Sequence, residues 1–109
     1  MNSRQKGASG ERELAKLLRT YGCDSRRGQQ YSGANGDADV VGLEGFHIEC
    51  KRVERLNISE AMKQSVKDHR EGETPIVIHR KNREGWLVTM RLDDFMNMYK
   101  EVQDGKITD

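Results

Sequence analysis

The sequence has no apolar run approaching the ~20 residues needed to span a bilayer. Its first ten residues are polar and contain no apolar core of the signal-peptide kind. No membrane partner is expected, and an intracellular, cytoplasmic location is. There are two cysteines, Cys23 and Cys50, with neither zinc-site spacing nor the number for a disulfide framework. A reducing compartment suits them, and Cys50 reads as a small apolar residue of the core. Neither G-x-x-x-x-G-K-[ST] nor G-x-G-x-x-G occurs, so no standard phosphate-binding loop is present. Internal repeats and low-complexity segments are also missing. The net charge is only +1, so bulk charge selects no partner.

What is present fits one α/β domain. In 109 residues, 34% are hydrophobic and 34% charged, which leaves a modest core beneath a polar surface. The charge is uneven: residues 1–30 carry seven Lys/Arg against three Asp/Glu, and residues 31–60 carry three against six. A basic first third beside an acidic middle suits a protein that draws phosphates towards a carboxylate centre.

The acidic middle contains the most informative stretch, Asp39 to Lys51 (D-V-V-G-L-E-G-F-H-I-E-C-K). It reads as a strand from Asp39, a turn at Leu43-Glu44-Gly45, and a second strand from Phe46 to Lys51. Period-two alternation puts Phe46, Ile48 and Cys50 on one face and His47, Glu49 and Lys51 on the other. A two-residue loop would set Asp39 opposite Cys50. A three-residue loop ending in a left-handed glycine sets it opposite Glu49, and that register is favoured, with the two Cβ atoms about 5 Å apart. Such a carboxylate pair invites a hard divalent cation such as Mg²⁺, and Lys51 would border it. Taken alone, E-x-K also describes an ordinary wet strand face.

Before this stretch, residues 1–8 read as a flexible basic arm. A helix follows from Ser9 to about Tyr21, with a stripe of Leu14, Leu17, Leu18 and Tyr21 and Gly22 as its stop. Glu11 points along that stripe, where it either complements the helix dipole or supplies a third carboxylate. Cys23 to Arg27 is a short strand, and the glycine-rich segment after it is a loop. Beyond Arg52, Asn57 and Glu60 form a capping box for a helix with an inner stripe of Ile58, Met62, Val66 and His69, ending by Gly72. Pro75 to Arg80 is a strand buried on both faces, and Trp86 to Met90 returns beside it. Leu92 to Tyr99 is a third helix anchored by Phe95, Met96 and Tyr99. Residues 101–109 read as a loose tail.

The order of Glu11 on a helix, then Asp39, then Glu49-Cys50-Lys51 resembles the PD-(D/E)xK nuclease superfamily. In more detail it is similar to the archaeal-type Holliday junction resolvases and their phage relatives. Their N-terminal signature is echoed by Lys6-Gly7-Ala8-Ser9-Gly10-Glu11-Arg12-Glu13-Leu14, their loop serine by Ser32-Gly33, and their Ile-Glu-x-Lys strand by Ile48 to Lys51. One departure is Ala38, where a proline is usual before the motif aspartate. The resemblance implies a restriction-endonuclease-like mixed β-sheet flanked by helices, in the order α-β-β-β-α-β-β-α. It implies an endonuclease that hydrolyses DNA phosphodiesters with Mg²⁺, for which Mn²⁺ can substitute, and in the resolvase case a homodimer that acts on branched DNA. Asp39, Glu49, Lys51 and Glu11 would be catalytic. The metal would be held by Asp39, Glu49, the carbonyl of Cys50 and Glu11, the last directly or through water. Arg4, Lys6, Arg26, Arg27, Ser32 and Gln64 would contact DNA. The alternatives are a superfamily nuclease for flaps, ends or duplex DNA, and a nucleic-acid-binding module without catalysis.

Overall fold

Eight elements follow one another: α1 (Ser3–Thr20), β1 (Arg26–Arg27), β2 (Val40–Val41), β3 (Phe46–Arg52), α2 (Ile58–Asp68), β4 (Thr74–Arg80), β5 (Leu87–Met90) and α3 (Leu92–Thr108). A computed structural model describes residues 3–29 and 38–108, with side chains for 7–29 and 38–105. The five strands form one mixed sheet in the order β1-β2-β3-β4-β5. Only β3 and β4 run parallel, joined through α2, and the other neighbours are antiparallel. This is the restriction-endonuclease-like arrangement that the sequence implied. Among the described residues no helix is long and apolar enough to cross a membrane.

The parallel pair is the centre of the molecule. Ile76, Val77 and Ile78 of β4 are all buried, as a strand covered on both faces requires. On one side Leu14 and Ala15 of α1 pack with Ile48, Cys50, Ile76 and Ile78. On the other side α2 covers β3 and β4. Asn57 caps α2 by accepting the Glu60 N–H at 3.1 Å. The bulky stripe of Ile58, Met62, Val66 and His69 only flanks the contact, however. Ala61 and Ser65 lie against the sheet, fully enclosed. Small residues let the helix backbone come close, and the Ser65 hydroxyl reaches the carbonyls of His47 (3.1 Å) and Ile76 (3.0 Å). The helix stops at Asp68, short of Gly72.

Both chain ends correct the sequence reading. In place of a flexible arm, α1 begins at Ser3 and runs straight through Gly7 and Gly10. Gly10 is there because the helix crosses β3 closely: a Cβ at that position would stand 2.9 Å from the Cβ of Arg52. Helix propensity gives way here to packing. Tyr21 is 77% exposed and belongs to the turn that ends α1, not to the buried stripe. In that turn the N–H groups of Gly22 and Cys23 bond the carbonyls of Arg19 and Leu18. The expected loose tail is also helical, since α3 continues to Thr108. Phe95, Met96 and Tyr99 do not anchor it. They are exposed, together with Leu92 and Val102, and no other element packs closely on α3.

Gly42, between β2 and the hairpin loop, has φ +101°, and a Cβ there would lie 2.2 Å from the Asp24 carbonyl oxygen. Gly42→Ala should therefore lower stability in urea unfolding by about 2 kcal/mol or more. Gly7→Ala, which meets nothing within 4 Å, should leave stability unchanged or raise it by about 0.5–1 kcal/mol. Equal effects at the two positions would refute this reading of the hairpin.

Candidate active site

The β2–β3 hairpin has the register of the three-residue loop: Val40 stands opposite Ile48, and Gly45 adopts φ +87° at the loop end. Regular pairing of β2 ends at Val40. Asp39, one residue earlier, donates its N–H to the Ile48 carbonyl at 3.0 Å. Its carboxylate Oδ2 accepts the Cys50 N–H at 2.8 Å. Asp39 thus grips β3 on both sides of Glu49, close enough for its carboxylate to act on the Glu49 carboxyl. Glu49 is only 8% exposed, because the strand face that might have been wet lies under α2.

Burial raises the affinity of Glu49 for a proton, and the Asp39 carboxylate adds to the effect. Lys51 opposes it without cancelling it, so the Glu49 pKa is pushed up to about 8. A like charge beside a buried carboxyl disfavours its ionisation. Lys51, two residues along the strand, lines a hollow of about 390 Å³ with Gln64 and Ala61 of α2. The Gln64 amide donates to Asp68 at 2.6 Å, and the Asp68 charge also raises the Glu49 pKa.

Glu11 projects from α1 towards the same region. Burial raises its pKa, and its hydrogen bond to Arg27 works against that rise. The charges of Asp39 and Lys51 both act on it, in opposite senses. Arg27 Nε donates to Glu11 Oε1 at 2.8 Å, so the arginine expected to meet DNA is engaged by the glutamate expected to meet metal. Arg26 is exposed. Arg4 and Lys6 lie on the first turns of α1, with side chains outside the described residues, and Ser32 also lies outside them. Cys50 is buried, and its surroundings push its thiol pKa strongly upward. It remains a protonated core residue and not a nucleophile.

A cluster that the sequence reading missed supports the end of β3. Glu13 forms ion pairs with both Arg52 (Nε at 3.1 Å) and Arg80 (Nη2 at 2.6 Å). Arg52 and Arg80 are neighbours across the parallel pair. The signal available in the sequence was Glu13, two residues after Glu11 and so off the apolar stripe.

The donor set suits a hard divalent ion. Asp39 and Glu49 offer oxygen ligands, and the raised Glu49 pKa shows that added positive charge would be favoured there. Among the described residues, no three His, Cys, Asp or Glu side chains are grouped closely enough to hold a metal together. The protein supplies a pair, with Glu11 turned to Arg27.

The family model described as phage putative PDDEXK endonuclease matches residues 2–108. The chain belongs to this family. It is thereby a member of the PD-(D/E)xK nucleases. No curated protein matches it. The match takes in α3, so the exposed helix lies within the nuclease family's domain.

Below pH about 8 the folded chain keeps the Glu49 proton, whereas an unfolded glutamate loses it near 4.5. Between these values the folded state binds more protons, so stability falls as pH rises. In chelator, urea unfolding should show this loss through pH about 8. Glu49→Gln, neutral throughout, should flatten the slope and exceed the parent in stability above that pH. A parent stability that rises through this window would contradict the raised Glu49 pKa.

Proposed function

We propose that this chain is a metal-dependent endonuclease that hydrolyses DNA phosphodiesters at branched sites, with Asp39, Glu49 and Lys51 as its catalytic residues. The observation that carries the reading is the Asp39 carboxylate fixed on the β3 backbone beside the buried Glu49, with Lys51 two residues along the strand. A protein that merely binds nucleic acid gains nothing from two crowded carboxylates, which cost stability when buried and repel phosphate.

Asp39 and Glu49, with the Cys50 carbonyl, would hold Mg²⁺ or Mn²⁺, and Glu11 would join them directly or through water once released by Arg27. Bound there, such an ion polarises phosphate oxygen and lowers the pKa of water. Glu49 must give up its proton before it can serve, so ion affinity should increase with pH. Lys51 would set its ammonium against the charge that builds on phosphorus in the transition state. Gln64, lining the same hollow, would position the backbone next to the cut, and the exposed Arg26 would add a salt-sensitive phosphate contact.

The resolvase reading asks for two such sites, hence a homodimer cutting a four-way junction. The exposed α3 stripe supports it: Leu92, Phe95, Tyr99 and Val102 follow the three–four spacing of a helix-pairing seam. A second reading, cleavage of flaps or ends, is favoured by an open cleft beside the catalytic hollow.

Two measurements test these statements. With Mg²⁺, wild-type protein should cut a synthetic four-way junction or a flap in preference to plain duplex. Glu49→Gln should abolish cutting while retaining DNA binding, and Lys51→Met should slow it by roughly 10²–10³-fold. Symmetric paired nicks select the resolvase, a single cut at a strand junction selects the flap enzyme, and normal cutting by Glu49→Gln ends the proposal. In sedimentation, the wild-type chain should run as a dimer that Phe95→Asp with Val102→Asp dissociates. A monomeric wild type would rule out the α3 pairing.

A further inference from the structure

A second cavity lies beside the hollow that Lys51 and Gln64 line. It has a volume of about 820 Å³ and opens between the β3–α2 loop and the β4–β5 turn. Its apolar lining includes Leu56, Ile58, Trp86 and Leu87, and exposed Arg55 and Lys81 stand at its rim. Arg55, Leu56 and Asn57 also line the hollow that holds Lys51 and Gln64, so the two spaces adjoin at these residues.

The wall is built and not incidental. The Arg80 guanidinium is 5.6 Å from the Trp86 ring centroid, a cation–π contact. Arg80 Nη1 also donates to the carbonyls of Lys81 (3.1 Å) and Glu84 (3.2 Å), which closes the turn. Across the cleft, Glu54 accepts the Asn82 N–H at 2.7 Å and ties the loop to the turn. Burial keeps the His79 pKa low, so this lining residue is neutral. Arg80 is thus committed to the scaffold, and Arg55 and Lys81 are the cations at the rim.

We propose that this cleft binds unpaired nucleotides of the DNA substrate, with bases against Trp86 and Leu56 and the sugar-phosphate chain leading past Arg55 to Lys51. An aromatic wall with flanking cations is the chemistry that takes single strands without regard to sequence, because every base has a π-face and every link a phosphate. The volume falls within the ~300–1,000 Å³ range of small-ligand sites, too small for a duplex. The inference rests on the nuclease reading and names the strand that this nuclease prefers.

Trp86 is the sole tryptophan, so its emission reports on the cleft directly. The test titrates metal-free protein with a short oligothymidylate and with a duplex of equal length, following emission and, separately, the anisotropy of labelled DNA. Saturable quenching by the single strand but not by duplex is expected. Arg55→Glu, at an exposed position, and Trp86→Ala should each weaken oligothymidylate binding by roughly ten-fold or more. Absence of single-strand binding, binding with unchanged emission, equal quenching by duplex, or unaltered affinity in Arg55→Glu would each overturn the proposal. Cleavage in Mg²⁺ is scored independently. An enzyme that cuts DNA without quenching loses only the cleft, whereas one that cuts no DNA loses the nuclease reading itself.

Discussion

A buried carboxyl group, Glu49, with a second carboxylate, Asp39, held beside it is the constraint around which this fold is arranged. Left to itself the Asp39–Glu49 contact is unfavourable, because burial and mutual repulsion both oppose charge there. It persists because Asp39 is tied to the backbone of β3 on either side of Glu49 and because α2 closes over the strand. The strain is relieved by a proton in the metal-free chain, and in the proposed enzyme by an ion. That exchange makes a structural liability into a site where phosphate chemistry can be driven.

The scaffold holds β3 from three directions. Gly10 lets α1 approach the Arg52 side chain directly, and Glu13 then draws Arg52 and Arg80 together across the parallel strands. Ser65 pins α2 to carbonyls of both β3 and β4. Each contact uses a small or charged residue where a bulky apolar one would have been ordinary, and each fixes an element that bears on Glu49 or Lys51.

This explains which parts could be read from the sequence. The hairpin register was legible because loop length and period-two alternation are local properties, and they fixed the neighbourhood of Asp39, Glu49 and Lys51 in advance. The order of elements was legible for the same reason. The face of α2 was not, since side-chain bulk suggested Met62 and Val66 while close packing chose Ala61 and Ser65. The start of α1 was hidden by Gly7 and by Gly10, and the meaning of Gly10 depends on Arg52, more than forty residues away. Extension of α3 to Thr108 was hidden because, among the described residues, its large apolar side chains are exposed and no element packs closely on it. Arg27 was expected at DNA and pairs instead with Glu11, a tertiary contact that no spacing rule announces.

That pairing bears on how a substrate could approach. A carboxylate centre repels phosphate, so cations must guide the strand, yet Arg27 is held by Glu11 and both Arg52 and Arg80 are held by Glu13. The guanidinium groups nearest the site are therefore partly neutralised by their own acids. Guidance passes outward to exposed positions such as Arg26 on β1 and Arg55 and Lys81 at the cleft rim. These lie on opposite sides of the β3 carboxylates in the strand order. In the proposed enzyme, a strand drawn from Arg26 to Lys81 would pass over β3, the strand that carries Glu49 and Lys51. Attraction at the two flanks with repulsion at the centre favours a phosphate chain that spans the site over one that settles into it, and admits the reacting phosphate only when positive charge replaces the Glu49 proton.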